Sequence, residues 1–141
     1  MFRSEKKIRG GSRRHRVKSS KKAVIVVGHG SKEPGFEKAM VRVAGKLRRE
    51  GKYGKVFCAY LGSAPPSLPE ALSRCARRGL TDIIVLPYFI LAGAHVVSDI
   101  PGLVGEAKKK YAGKVRIRLS PYLGYHEKIV SVVQERISQA R

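Results

Sequence analysis

Two histidines stand just after segments that are predicted to be strands, and their side chains are the ones in this sequence best suited to chemistry. His29 follows the β-branched run Ala23–Val27, and His95 lies near the end of the apolar segment that follows Ile83–Leu86. Neutral imidazole nitrogens bind borderline divalent ions such as Co²⁺, Ni²⁺, Fe²⁺ and Zn²⁺. An imidazole can also take up a proton near neutral pH. A hydrogen-bonded structural role is the alternative for either histidine taken alone.

The elements that must position these histidines alternate regularly from Lys22 to the C-terminus. Continuous apolar runs predict buried parallel strands, and apolar residues at 3.6-residue spacing predict amphipathic helices. Pro34 suits the first turn of the first helix, and Ser98 or Asp99 is a candidate N-cap of the third. In chain order the predicted elements are strand 23–27, the helix after Pro34, strand 55–61, helix 67–78, strand 83–86, the helix from Ile100, strand 115–119, and a last helix carrying Ile129, Val132, Val133 and Ile137.

Four strand–helix units predict an α/β domain with one four-stranded parallel sheet and helices on both faces. We expect the strand order 2-1-3-4, with the fourth strand at an edge because charged residues alternate along it. Ligands of such sheets bind outside the carboxyl ends of the strands, where the strand order reverses. That point lies between the first and third strands. His29 and His95, although 66 residues apart, are therefore predicted to face each other.

The turn Gly28-His29-Gly30-Ser31 does not indicate a nucleotide site. It lacks both the G-x-G-x-x-G spacing and the lysine of a P-loop. Gly28 and Gly30 either admit a flat ligand close to the backbone or simply make the turn. Ser31 is interpreted as a cap of the first helix or as a ligand contact. His126, at the start of the last helix, is predicted to be an exposed or capping residue.

The 141 residues suit one domain and include 30 Lys and Arg against 10 Asp and Glu. Residues 1–22 hold ten of the basic residues and only one acidic residue, Glu5, and they are predicted to be a disordered basic tail preceding a domain at 23–141. Such a tail can bind nucleic acid through counterion release, or it is only a solvated extension. The domain stays basic without it, which favours a polyanionic partner for the fold itself.

The cysteines and the hydropathy pattern predict a cytoplasmic protein without membrane contact. Cys58 and Cys75 form no CxxC pair and have no clustered histidines near them, so they are interpreted as small core residues in a reducing compartment. No apolar run reaches the roughly 18 residues of a membrane span. The N-terminus lacks the apolar centre of a secretory signal.

Four motifs of this sequence belong together: VVGHGS at 26–31, PSLPEAL at 66–72, VLPYF at 85–89, and GAHVVSDIP at 93–101. They resemble the class II tetrapyrrole chelatases, and most closely the short sirohydrochlorin cobalt- and nickel-chelatases. The resemblance extends from about Lys22 to the C-terminus. The two histidine motifs are its most specific part.

This resemblance implies a lyase-type enzyme that inserts a divalent metal into sirohydrochlorin without ATP. The product would serve cobalamin or another porphyrin-type biosynthesis, with Co²⁺ or Ni²⁺ as the metal, or Fe²⁺ if the product is sirohaem. The family's two active-site histidines match His29 and His95, which are predicted to be catalytic residues and metal ligands. Ser31, Tyr88 and Gly93 are predicted to contact the substrate, whose carboxylates the basic domain would attract.

The resemblance further implies that no cofactor is needed beyond the substrate metal ion. It also implies that the short form is a homodimer, equivalent to the two-lobed long chelatases. One position departs from the family pattern. Gly62 stands where a glutamate associated with the metal site usually follows the leucine that ends the second strand, and Pro65 replaces a second glutamate. Without that anionic ligand we expect weaker binding of free metal.

Two other functional classes stay open from the sequence. The protein could be a non-catalytic relative that carries a tetrapyrrole or a metal. It could instead associate with nucleic acid, which the sequence predicts only through residues 1–22.

Overall fold

The structure is a computed structural model that describes residues 21–141, and its centre is one sheet of four parallel strands. The strand order is β2-β1-β3-β4, as the sequence predicted. The strands are β1 (Lys22–Gly28), β2 (Lys55–Tyr60), β3 (Asp82–Pro87) and β4 (Arg116–Leu119); the helices are α1 (Lys38–Glu50), α2 (Leu68–Arg77), α3 (Ile100–Lys110) and α4 (Glu127–Ser138). A π-helical turn, His95–Asp99, leads directly into α3. The predicted disordered tail falls on residues 1–20, outside the described residues.

All strands run in one direction, so the sheet has two chemically different edges. Val24 pairs with Val56 of β2 on one side and with Ile84 of β3 on the other. We call the edge at which the strands end the carboxyl edge, and the edge at which they begin the amino edge. Helices α1, α2 and α3 each end at the amino edge, because each returns the chain to the start of the next strand.

Helices cover both faces of the sheet. The α2 and α3 side holds the larger core, which includes Ile25, Leu68, Leu72, Ile83 and Ile100, each almost fully buried. On the other face Met40 and Ala44 of α1 pack against Val24, Val26 and Val56. The β-branched residues of β1 are thus covered on both sides, which explains why that strand is an uninterrupted apolar run.

Helix α1 begins at Lys38, so the prediction that Pro34 lies in its first turn is wrong. Residues 32–37 form bends and turns, in which Gly35 takes a φ of +77°. The Ser31 hydroxyl accepts a hydrogen bond from the N–H of Glu33 at 3.0 Å. Ser31 therefore closes a local turn and does not cap α1.

The predicted N-cap of the third helix is also wrong, because the helical backbone starts earlier. Ala94 already has helical φ and ψ, the π-helical turn follows at once, and Asp99 makes no side-chain cap hydrogen bond. The N–H of Ile100 donates to the carbonyl of His95, five residues back. His95 is consequently held on a helical turn and not on a loop.

Helix α4 lies apart from the cores. None of its residues is buried, and Val132, Val133 and Ile137 are 48%, 50% and 69% exposed. His126 caps it as predicted, since its Nδ1 accepts from the N–H of Lys128 at 3.1 Å. Within residues 21–141 no helix is both long and apolar enough to cross a membrane.

Candidate active site

The two histidines occupy neighbouring positions at the carboxyl edge. His29 directly follows β1, and backbone hydrogen bonds hold both adjacent strands beside it. The N–H of Leu61 donates to the Gly28 carbonyl at 2.9 Å, and the N–H of Tyr88 donates to the Val27 carbonyl at 2.8 Å. The chain leaving β3 then returns to this point through the turn that carries His95.

The imidazole rings face each other as the topology predicted. Their centroids are 4.9 Å apart and the ring planes are inclined by 52°. His29 is exposed and His95 is half-buried. Metal–nitrogen bonds to imidazole are about 2.0–2.1 Å for zinc, so one nitrogen from each ring can reach the same ion after a small rotation. The ring of Phe89 lies 6.0 Å from that of His95 and gives the pair an aromatic neighbour.

Asp99 fixes the orientation of one imidazole, a role that the sequence analysis missed. Its Oδ2 lies 2.8 Å from His95 Nδ1. An ionised carboxylate only accepts hydrogen bonds, so Nδ1 carries the proton and donates it. Nε2 then keeps a free lone pair for a metal or a proton, the arrangement found around many metal-binding histidines. The i, i+4 spacing of His95 and Asp99 was the available signal, whereas the sequence analysis considers Asp99 only as a candidate N-cap of the third helix.

The site offers two nitrogen ligands and no matching carboxylate at the second strand. The described residues contain no group of three or more His, Cys, Asp or Glu side chains that could hold a metal ion. Gly62 takes a φ of +95°, and a Cβ built there would lie 4.0 Å from the carbonyl oxygen of His29, its one near neighbour. The position where the resemblance expects a glutamate thus lies beside His29, in open space.

The glycines around His29 serve packing. A Cβ at Gly28 would overlap the Met40 sulfur, and one at Gly30 would lie 2.7 Å from the Leu61 carbonyl oxygen. Both spaces are therefore filled by the protein itself. Of the two roles that the sequence left open for these glycines, a flat ligand close to the backbone or the turn alone, the turn fits the structure, and the close packing adds a reason that the sequence analysis did not give.

The predicted substrate contacts lie in different surroundings. Ser31 is exposed, two residues after His29. Gly93 begins the turn that carries His95, and its carbonyl accepts from the N–H groups of Val96 and Val97. Tyr88 packs with the core on the α1 side of the sheet, while Phe89 packs with the α2 and α3 side. Contact of these residues with a substrate stays a prediction.

The charge around the site differs from the expectation that a basic domain surrounds it. The carboxyl-edge segments 29–37, 61–70, 88–99 and 120–128 carry two basic residues, Lys32 and Lys128, against five acidic ones, Glu33, Glu37, Glu70, Asp99 and Glu127. The first turns of α2 and α4 carry a partial positive charge, which Glu70 and Glu127 in those same turns oppose.

The cysteines are structural, as predicted. Both are unpaired. Cys75 is buried in the α2 helix, and burial raises the pKa of its thiol to about 11. Burial likewise raises the pKa of Cys58, although Arg48 partly opposes this. Neither thiol is therefore a ready nucleophile or metal ligand at neutral pH.

The same folded region matches known proteins in sequence and in structure. The sequence model of the CbiX family matches residues 23–140. The chain belongs to the CbiX family. A sirohydrochlorin cobaltochelatase of Saccharolobus islandicus is 35% identical over 121 residues, covering 82% of this chain and 93% of that protein. The chloroplastic sirohydrochlorin ferrochelatase of Arabidopsis thaliana is 31% identical over 114 residues, covering 81% of this chain and 50% of that protein.

A solved relative has the same fold at about twice the length. The crystal structure of the sirohydrochlorin chelatase SirB from Bacillus subtilis subspecies spizizenii, in complex with cobalt, superposes with a TM-score of 0.75 at 25% identity. The superposition covers 83% of this chain and 50% of that one. This CbiX-family chain thus spans about half the length of SirB and of the Arabidopsis relative, and most of the Saccharolobus one.

Proposed function

We propose that this protein inserts a divalent metal ion into sirohydrochlorin without ATP. The observation that carries the proposal is the pair of imidazoles 4.9 Å apart at the switch point of the sheet, one of them oriented by Asp99. The relatives named as sirohydrochlorin cobaltochelatase and ferrochelatase support the choice of substrate. Co²⁺ is the first candidate metal, with Ni²⁺ and Fe²⁺ next, because imidazole ligands suit all three.

The chemistry needs ligands and proton acceptors and no redox step. The metal replaces two pyrrole N–H protons, so each turnover releases two protons and leaves the charge on the metal unchanged. His29 and His95 would hold the incoming ion, and the imidazole that gives up the metal, or a water, would accept a proton. Phe89, whose ring lies 6.0 Å from that of His95, would contact the apolar face of the macrocycle. No cofactor beyond the substrate metal enters this scheme.

We further propose that the active form is a homodimer. A hollow of about 490 Å³ lies between residues 90–92 and the segment Tyr122–Val133, and its lining is almost entirely apolar. Val132, Val133 and Ile137 on α4 add exposed apolar surface next to it. Because SirB is about twice as long as this chain, a second copy is the natural occupant and would complete the cleft.

The unpaired cysteines fit the cytoplasm as the location that we propose. Both cysteines of the sequence lie in the described part of the chain, and neither is bridged. Reduced thiols are the normal state of proteins in that compartment.

An anaerobic absorbance assay tests the proposed activity. Purified full-length protein is mixed with sirohydrochlorin and Co²⁺, Ni²⁺ or Fe²⁺ in separate reactions without ATP, and the spectral change is compared with that of the metal and macrocycle alone. We expect a protein-dependent rate at least tenfold above the background reaction for one or more of the metals. Tight binding of sirohydrochlorin without any rate increase would show a carrier and contradict the proposal.

A further inference from the structure

The amino edge of the sheet carries most of the positive charge of the described residues. We call the surface formed by residues 21–22, 48–55, 74–82 and 108–116 the amino-edge surface. It contains fourteen of the twenty-two Lys and Arg between 21 and 141. They are Lys21, Lys22, Arg48, Arg49, Lys52, Lys55, Arg74, Arg77, Arg78, Lys108, Lys109, Lys110, Lys114 and Arg116.

Acidic residues are scarce on this surface. Only Glu50 and Asp82 belong to it, and the carboxylate of Asp82 is engaged by Arg118 at 2.8 Å. The partial negative charge at a helix C-terminus stabilises basic residues in the last turn. This accounts for one or two cations on each helix. It does not account for Lys52 and Lys114, which lie between elements, for Lys55, the first residue of β2, or for the missing counter-charges.

Aromatic rings are interleaved with these cations. Among the described residues, each of the three cation–π contacts has its cation on the amino-edge surface: Lys52 over Tyr53 at 5.7 Å, Arg78 over Phe57 of β2 at 5.5 Å, and Lys110 over Tyr111 at 5.4 Å. A hollow of about 470 Å³ between the ends of α2 and α3 is lined by Arg77, Lys110, Lys114 and Tyr111 among others. Cationic grooves with aromatic platforms are the usual means of binding single-stranded nucleic acid.

The substrate of the histidine site cannot explain this surface. The histidines lie at the opposite edge, and strands β1 and β3 of seven and six residues separate the two. At about 3.3 Å per residue that distance is about 20 Å. A macrocycle bound between His29 and His95 would therefore leave the amino-edge surface free.

We propose that the amino-edge surface binds single-stranded nucleic acid through phosphate contacts and base stacking. A membrane fits less well, because Tyr53 is the single large apolar residue of this surface that is exposed, whereas the others lie on the α1 face, near the carboxyl edge and on α4. Residues 1–20 carry eight more Lys and Arg and join the fold at Lys21, on this same edge. The proposal differs from the sequence-based one in that the folded domain itself supplies the binding surface.

Fluorescence anisotropy with a labelled 20-nucleotide poly(U) RNA tests the proposed contacts between the basic residues and the phosphates. The full-length protein is compared with Arg77→Gln/Lys110→Gln/Lys114→Gln and with a matched control, Lys32→Gln/Lys128→Gln/Arg136→Gln, which removes the same charge elsewhere. All six residues are exposed, so both variants should fold, and circular dichroism checks this. For single strands each lost phosphate contact lowers the slope of log K against log salt by about 0.7.

We expect the amino-edge variant to lower that slope by about two and to bind about tenfold more weakly at 0.1 M NaCl. The control variant should change the slope by less than half a unit. Equal weakening of both variants would show that net charge alone acts and would overturn the proposal. Unchanged binding in the amino-edge variant would place the affinity in residues 1–20 and would also overturn it.

Replacement of Tyr53, the exposed aromatic residue of the amino-edge surface, tests the proposed base stacking. Tyr53→Ser should weaken poly(U) binding about fivefold or more, the usual effect of removing one stacked base. It should leave binding to a duplex of equal charge nearly unchanged. Equal loss on both nucleic acids would contradict stacking. Binding to phosphatidylserine vesicles with no binding to poly(U) would identify a membrane surface in place of the one proposed.

Discussion

The two edges of the sheet differ in every property that decides what they can bind. The carboxyl edge presents two imidazoles, an aromatic ring and exposed aliphatic side chains, with five acidic residues against two basic ones. The amino edge presents fourteen basic residues against two acidic ones. The excess of Lys and Arg in the whole chain therefore says little about the site at which the histidines lie. A parallel sheet separates the two surfaces because every strand begins at one and ends at the other.

The largest expected effect comes from removing either imidazole at the carboxyl edge. His29→Ala and His95→Ala should each lower the rate of metal insertion at least a hundredfold, since each removes a metal ligand and a possible proton acceptor. Steady-state absorbance assays measure this. His15→Ala, which removes a histidine of residues 1–20 that the proposed activity does not use, is the control and should keep most of the activity. Binding of poly(U) RNA should be the same in all three variants, and a loss there would mean that the two edges are not independent.

A smaller effect is expected from Asp99→Asn. The amide keeps the size of the side chain but can present its NH₂ to His95, so the preference for a proton on Nδ1 is lost. Outer-shell partners of this kind typically change metal affinity or activity by about 10- to 100-fold. Titration with Co²⁺, followed by its visible absorption, should show weaker binding in parallel with the lower rate.

Glu33→Gln is the matched control for Asp99→Asn, because it removes another exposed acid at the carboxyl edge. Equal losses in both variants would indicate that local charge matters and that orientation of His95 does not.

Substitutions in helix α4 test the proposed homodimer. Val133→Glu places a charge in the apolar hollow beside Ile90 and Leu91, so it should shift the protein from dimer to monomer by at least tenfold in dissociation constant. Sedimentation velocity across micromolar concentrations measures this. Gln134→Glu adds the same charge at a neighbouring exposed position and should stay dimeric. A wild-type preparation that is monomeric and fully active would refute the dimer.

The smallest net effect is expected at Gly62, where two consequences of one substitution oppose each other. Gly62→Glu places a carboxylate beside His29 and should tighten Co²⁺ binding. The φ of +95° strains any side chain by about 1–3 kcal/mol, so the melting temperature should fall. Gly62→Ala bears the same strain without the carboxylate. The difference in Co²⁺ affinity between the two variants isolates the ligand, and equal affinities would mean that residue 62 does not face the metal.

The sequence predicted the fold and the meeting of the histidines because both follow from simple patterns. Uninterrupted, β-branched-rich runs such as Ala23–Val27 favour strands covered on both faces, and a parallel sheet then brings His29 and His95 to one switch point. The basic character of the amino edge was also present in the sequence, as Lys and Arg that precede each strand. These residues are scattered along the sequence, and it is the parallel pairing of the strands that gathers them at one edge.

Two features could not be predicted from local patterns. The segment from His95 to Asp99 contains two valines, and its helix-start signals, Ser98 and Asp99, lie at its end, so its helical backbone follows from tertiary context and not from propensity. Helix α4 has the apolar spacing of a packed helix, and nothing in that spacing reveals that no core covers it. In the first case the residue type and position of Asp99 predict a cap, whereas its carboxylate accepts from His95. In the second, none of the described core residues covers the apolar side chains of α4.

The π-helical turn makes chain length at this point as important as residue identity. A helix advances about 100° per residue, and a π-helical turn holds one residue more than an α-helical turn. Deleting one of residues 96–98 would convert the turn to an α-helical one and swing the His95 ring about 100° around the axis of α3, away from His29. In a complete set of single-residue deletions, these three should therefore resemble the loss of the histidine itself, although Val97 is 67% exposed and its substitution should be tolerated.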